Sequence, residues 1–133
     1  AALGAKMARP DLKVVALVGD GAFQMTGMEL STIVHRSLAV TVIVLDNKGY
    51  GTERLIHEGS FNTINPWQYQ LLPQVLGGGT GYEVRTEGEF DRALSLALAD
   101  RSGMSLIRVH IGLEDRSLTL ERLGAGLASR MKS

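Results

Sequence analysis

Two short runs constrain this chain more than any other feature. Val14-Val15-Ala16-Leu17-Val18 and Val40-Thr41-Val42-Ile43-Val44-Leu45 are rich in β-branched residues and apolar on both faces rather than alternating. A strand of that kind has two surfaces to bury, as strands do inside a parallel sheet covered by helices on both sides. Both runs read as central strands. Between them, 27–38 carries Met28, Leu30, Ile33, Val34 and Leu38 at helical spacing, with Glu29 near the start and His35 and Arg36 near the end, as the helix dipole favours. The unit is βαβ, and its crossover should be right-handed. The expected fold class is therefore α/β: an open parallel sheet with flanking helices.

The second half repeats the scheme less tightly. Residues 67–76 suggest a short helix interrupted near Pro73, Gly77-Gly78-Gly79 a flexible link, and 82–85 a strand. Thr86 with Glu89 reads as a capping box, followed by Phe90, Ala93, Leu94, Ala97 and Leu98 on one helical face. Gly103 stops that helix and 105–111 gives a fourth strand. Leu120, Leu123, Leu127 and Met131 suggest a C-terminal amphipathic helix weakened by Gly124 and Gly126. Ala1 to Ala8 has the small residues of a closely packed helix but no cap, strand or initiator Met before it, so the natural start is expected upstream, with 1–133 a single domain lacking its leading elements.

Composition removes several classes of function. Lys plus Arg and Asp plus Glu both total 14, and no basic run would track a nucleic acid or an anionic membrane. Without Cys there is neither a disulfide scaffold nor a thiolate metal site. No apolar run approaches the roughly 20 residues needed to span a bilayer, and no signal sequence opens the chain. A soluble protein is expected, with the cytoplasm as its default compartment.

The chemistry gathers where the strands end. Gly19-Asp20-Gly21 directly follows the first run, placing a carboxylate at the carboxyl end of a parallel strand, where open α/β sheets put their ligands. The flanking glycines allow close backbone approach, and Ala22 and Phe23 lead into a helix whose free N–H groups suit a phosphate. Asp20 alone would repel a diphosphate, but Mg²⁺ held jointly by protein and phosphate oxygens would join them. Taken by itself, Gly-Asp-Gly is equally a strand-end turn. After the next strand, Asp46-Asn47-Lys48-Gly49-Tyr50-Gly51 offers an amide oxygen and a glycine carbonyl. Asp20, Asn47 and the Gly49 carbonyl can thus meet around one ion.

Gly19-Asp20-Gly21, followed after 25 intervening residues by Asn47, resembles the signature of thiamine diphosphate-dependent enzymes. The resemblance implies the thiamine diphosphate-binding fold, with Asp20, Asn47 and Gly49 holding the Mg²⁺ that anchors the cofactor. It implies a cofactor site formed by Gly19, Asp20, Gly21, Ala22, Phe23, Asn47, Gly49, Tyr50 and Gly51. The runs from Asn47 to Glu53, Leu55 to Gly59, Asn65-Pro66-Trp67 and Ile111 to Asp115 look like the pyruvate, indolepyruvate and phenylpyruvate decarboxylase branch. Glu53 falls on the position of the active-site glutamate, which in that branch acts beside the reacting carbon during decarboxylation and the protonation that follows. Apart from the resemblance, Glu53 reads more readily as a solvated helix residue.

The remaining candidates favour plainer readings. His35 is a dipole-favoured surface residue and His110 a structural one. His57 lies near the site, but its spacing makes no dyad with Glu53. Met25 and Met28 read as core ahead of cofactor surface, Lys48 as solvated, and Trp67 and Tyr69 as packing. The resemblance further implies a 2-oxo acid substrate, an N-terminal pyrimidine-binding domain supplied elsewhere or by a partner subunit, and a homo-oligomer. A carboligase of the acetolactate synthase kind on the same cofactor, a cofactor-binding module inactive in isolation, and a structural fragment stand as rivals.

Overall fold

The computed structural model describes residues 1–131, with side chains described to residue 127. Four strands, β1 (Val14–Gly19), β2 (Val40–Asp46), β3 (Thr80–Val84) and β4 (Ser105–His110), form one sheet in the order β1-β2-β4-β3, and every pairing is parallel. β2 and β4 occupy the centre and are buried along almost their whole length. Helices cover both faces, so the α/β expectation holds.

One face carries α1 (Ala2–Ala8), α2 (Asp20–Thr26) and α3 (Glu29–His35), with Phe23, Leu30 and Ile33 packed on Val40, Val42, Val44 and Leu106. The opposite face carries α6 (Glu87–Ala99), whose Ala93 and Ala97 lie against Ile43, Val84 and Ile107. Between β2 and β3 the chain makes one turn of helix, α4 (Gly51–Arg54), two 3₁₀ turns (Ser60–Asn62 and Tyr69–Leu71) and α5 (Leu72–Val75). A last helix, α7 (Leu118–Met131), follows β4. No helix among the described residues is long and apolar enough to cross a membrane.

Several local expectations need correction. β1 is an edge strand rather than a central one: it pairs only with β2 among the described strands, and the α6 residues in the core pack on β2, β3 and β4. Val14, Ala16 and Val18 therefore face the core, while Val15 and Leu17 remain 47% and 67% exposed. The helix expected over 27–38 is the shorter α3, and a separate helix, α2, precedes it, with Gly27 and Met28 between the two. That break leaves Met25 and Met28 pointing outward, 71% and 67% exposed, instead of into the core. Pro73 begins α5 rather than interrupting it, in the first turn where a missing N–H does no harm. β3 starts and ends slightly earlier than its residues suggest. The expected C-terminal helix is present as α7, and it packs on Leu55 at Gly124, where a Cβ would stand 2.5 Å from the Leu55 Cβ.

The capping box at the head of α6 is formed in full. Glu89 N–H donates to Thr86 Oγ1 at 3.3 Å, and Glu89 Oε2 accepts from the N–H groups of Thr86 (3.1 Å) and Arg85 (2.8 Å). Thr86→Ala is expected to lower the unfolding free energy by about 1 kcal/mol. Urea denaturation of both proteins measures it, and an unchanged midpoint would show that the cap contributes nothing.

Candidate cofactor site

The parallel register of β1 and β2 sets Gly19 opposite Leu45, so the residues following each strand emerge side by side. Asp20 opens α2 and is 1% exposed. Its Oδ1 accepts from the Gly21 N–H at 2.8 Å and its Oδ2 from the Gly49 N–H at 3.0 Å, which ties the first strand end to the loop of the second. Burial pushes the Asp20 carboxyl above its ordinary pKa and the nearby Asp46 charge adds to the effect, while the N–H groups of Gly21, Gly49 and Lys48 oppose it. Its ionised form would gain from a nearby positive charge.

Asn47 completes the group. With its amide nitrogen turned inward, it donates to Asp20 Oδ1 at 3.1 Å and to the Gly49 carbonyl at 2.8 Å. A half-turn of the amide puts its oxygen at the same point, so that oxygens from a carboxylate, an amide and a carbonyl face one another without a proton between them. That second arrangement needs a cation. Neighbouring oxygens around octahedral Mg²⁺, bonded at about 2.0–2.1 Å, lie about 2.9 Å apart, so both separations suit such an ion. The donor set contains one carboxylate and no His, and among the described residues no cluster of three acidic or His side chains offers a competing metal site.

The loop that presents the carbonyl is unusual in its backbone. Lys48 has φ +64° and Gly49 φ +145°. Gly49 also bridges Thr63 in antiparallel fashion, and a Cβ on Gly49 would overlap the Asn62 carbonyl. Lys48 points to solvent. Beside the loop lies an open cleft of about 380 Å³ whose walls include Gly19, Gly21, Ala22, Asn47, Gly49, Tyr50, Gly51 and Glu53. Thus seven of the nine residues expected to form the cofactor site share one cleft with Glu53, and Asp20 is buried behind it. The exposed Glu53, on α4, makes no side-chain hydrogen bond or ion pair among the described residues and faces the same space.

Phe23 departs from the group. It is 3% exposed and sits edge-to-face on Tyr69 at 5.5 Å, because α2 begins at Asp20 and turns its fourth residue onto the sheet. It supports the site from the core rather than lining it. His57 stacks on Phe61 at 5.7 Å, away from the cleft, and His110 bonds Glu83 at 2.7 Å in a structural cluster. Met25, Ile111, Leu113, Arg116 and Leu120 also line the cleft. Sequence reasoning missed the last four as site residues, since they stand far from the motif and are brought in by the turn after β4.

The chain as a whole matches a known family. Residues 1–109 fit the model of the thiamine pyrophosphate enzyme C-terminal TPP-binding domain. The chain belongs to that family. It is 34% identical over 132 residues to a probable pyruvate decarboxylase of Schizosaccharomyces pombe, covering 96% of this chain and 23% of that protein. It is 40% identical over 113 residues to an alpha-keto-acid decarboxylase of Mycobacterium tuberculosis, covering 82% of this chain and 20% of the other. Among solved structures, a thiamine diphosphate-dependent 4-hydroxybenzoylformate decarboxylase of Rhodococcus jostii superposes with a TM-score of 0.75 at 29% identity, covering 86% of this chain and 23% of that one. The TPP-binding domain described here thus spans about a quarter or less of the relatives it matches.

Gly49→Ala tests the loop of this TPP-binding domain. The added methyl meets both the positive φ and the Asn62 carbonyl, so a local destabilisation of ~1–3 kcal/mol is expected. Hydrogen exchange at the Tyr50 amide, which donates to the Asn62 carbonyl at 2.9 Å, should accelerate accordingly. Wild-type protection there would contradict the described loop.

Proposed function

We propose that this chain is the thiamine diphosphate- and Mg²⁺-binding part of a 2-oxo acid decarboxylase, converting a 2-oxo acid to an aldehyde and carbon dioxide without oxidation. The observation that carries this reading is the convergence of Asp20, Asn47 and the Gly49 carbonyl beside a cleft that also contains Glu53. The names of the relatives, pyruvate decarboxylase and alpha-keto-acid decarboxylase, support the choice of reaction.

Asp20, Asn47 and Gly49 hold the ion, and through it the diphosphate. Gly19, Gly21 and Ala22 leave the backbone open to close approach, while Tyr50 and Gly51 form the neighbouring wall. The thiazolium ring supplies, when bound, the electron sink that lets the bond to the carboxylate carbon break. The reaction releases carbon dioxide and takes up one proton at the carbon left behind. Glu53 is the acid positioned to deliver it, being the carboxylic side chain on the turn directly after the metal loop. An N-terminal pyrimidine-binding domain, in the same protein or a partner subunit, completes the cofactor site, and a homo-oligomer is the expected assembly.

Glu53→Gln in the intact protein separates proton transfer from binding, because it keeps size and hydrogen-bonding reach but removes the acid. Turnover of a 2-oxo acid should fall about 10²- to 10⁴-fold while the thiamine diphosphate dissociation constant stays within a few-fold. Wild-type turnover would reject the role, and lost cofactor binding would move Glu53 into the binding site.

A further inference from the structure

The metal loop does not support itself. Its two positive φ angles and its single-turn helix give little local stability, yet the Gly49 carbonyl must point towards Asp20 and Asn47. Besides the Asn47 amide, the carbonyl accepts from the Gly51 N–H, close by in the same loop, at 3.1 Å. The Gly49 N–H ties the loop to Asp20, and on its other side the loop is joined to the 62–63 segment, with the side chain of Arg54 between them.

Arg54 is an unusual residue to find here. Its side chain is only 8% exposed, and its nearest carboxylate is the exposed Glu58 at 3.8 Å. Its Nη2 donates in three directions, to the Thr63 hydroxyl at 3.2 Å, the Asn62 carbonyl at 3.3 Å and the Lys48 carbonyl at 3.4 Å. These acceptors lie on both sides of the Gly49–Thr63 bridge. The same Nη2 would stand 3.1 Å from a Cβ on Gly49. Its Nε is buried without a partner among the described residues. A buried guanidinium with one unsatisfied N–H and a distant counter-charge is costly to maintain for packing alone. Asn62 strengthens the joint from the other side: it is 1% exposed, its amide donates to the His57 carbonyl at 2.8 Å, and its own carbonyl accepts from Tyr50 as well as from Arg54.

We propose that Arg54 is a positioning residue for the metal site: its guanidinium clamps the Lys48–Gly49 turn to the 62–63 segment and so fixes the direction of the Gly49 carbonyl. It touches neither the ion nor the reacting atoms. The proposal rests on the reading of Asp20, Asn47 and Gly49 as metal ligands. Partners that orient ligands from outside a metal site typically change its affinity by about 10- to 100-fold when removed, which sets the expected scale.

The test uses the intact protein with Mn²⁺ in place of Mg²⁺, titrated by electron paramagnetic resonance at fixed thiamine diphosphate, for wild type, Arg54→Met, Arg54→Gln and Asp20→Ala. Arg54→Met is expected to weaken Mn²⁺ binding about 10- to 100-fold. Arg54→Gln, which cannot span the bridge, should show a loss of the same order and carries the test if the Met variant does not fold. Thermal unfolding without metal is measured beside each titration, and the affinity loss should persist in variants whose unfolding temperature is unchanged. Mn²⁺ affinity within twofold of wild type in a folded Arg54 variant overturns the proposal. With Asp20→Ala abolishing Mn²⁺ binding, that result leaves the metal-site reading standing. Wild-type affinity in Asp20→Ala would overturn both.

Discussion

The parallel pairing of β1 with β2 is the constraint on which the site depends. Val14 lies opposite Val40 and Gly19 opposite Leu45, so Asp20 and Asn47 leave the sheet at nearly the same height although 26 positions separate them in sequence. A slip of one residue would reverse the faces of a whole strand, and the buried Val40, Val42 and Val44 forbid it. Burial of apolar side chains thus fixes the distance between polar groups that contribute little to the core.

Two buried aspartates at this end of the sheet meet different surroundings. Asp46 is paired: its Oδ2 accepts from Arg108 Nε at 2.7 Å and lies 2.6 Å from Nη2, and Arg108 in turn reaches Gln68, Gln70 and the face of Tyr69. This cluster ties β2 to β4 and to the turn at 68–70, and Glu83 with His110 extends it, the hydrogen bond from His110 holding the Glu83 carboxyl below the usual range. Among the described residues, Asp20 has only backbone N–H donors and the Asn47 amide for company, and burial raises its pKa. One carboxylate is neutralised by the protein; the other presents a charge for which the protein supplies oxygens but no cation. On the proposed reading, that contrast separates a structural ion pair at Asp46 from a ligand at Asp20.

Much of this was legible in the sequence. The doubly apolar runs declared a parallel sheet, Thr86 and Glu89 declared the start of α6, and Asp20, Asn47 and Gly49 declared a set of oxygens whose strand context made their meeting geometrically natural. Strand order was less accessible: the composition of β1 reveals two apolar faces, but Val15 and Leu17 say nothing about how far α6 extends. The helix α2 ahead of Gly27 went unresolved as an element of its own, because the spacing from Met28 to Leu38 describes only the helix that follows. Arg54 was invisible as a support, since its acceptors are backbone carbonyls and a hydroxyl whose positions only folding supplies. The turn that brings Leu113 and Arg116 to the cleft belongs to the same class.

In the proposed site three oxygens, from Asp20, Asn47 and the Gly49 carbonyl, share one divalent ion that anchors the cofactor. Anomalous diffraction from crystals of the intact protein grown with Mn²⁺ and thiamine diphosphate tests it most directly. A single strong anomalous peak within about 2.0–2.4 Å of all three oxygens, with the Asn47 amide oxygen turned inward, is the predicted result. An ordered cofactor with no peak between these oxygens, or with its ion held by other side chains, would contradict the account.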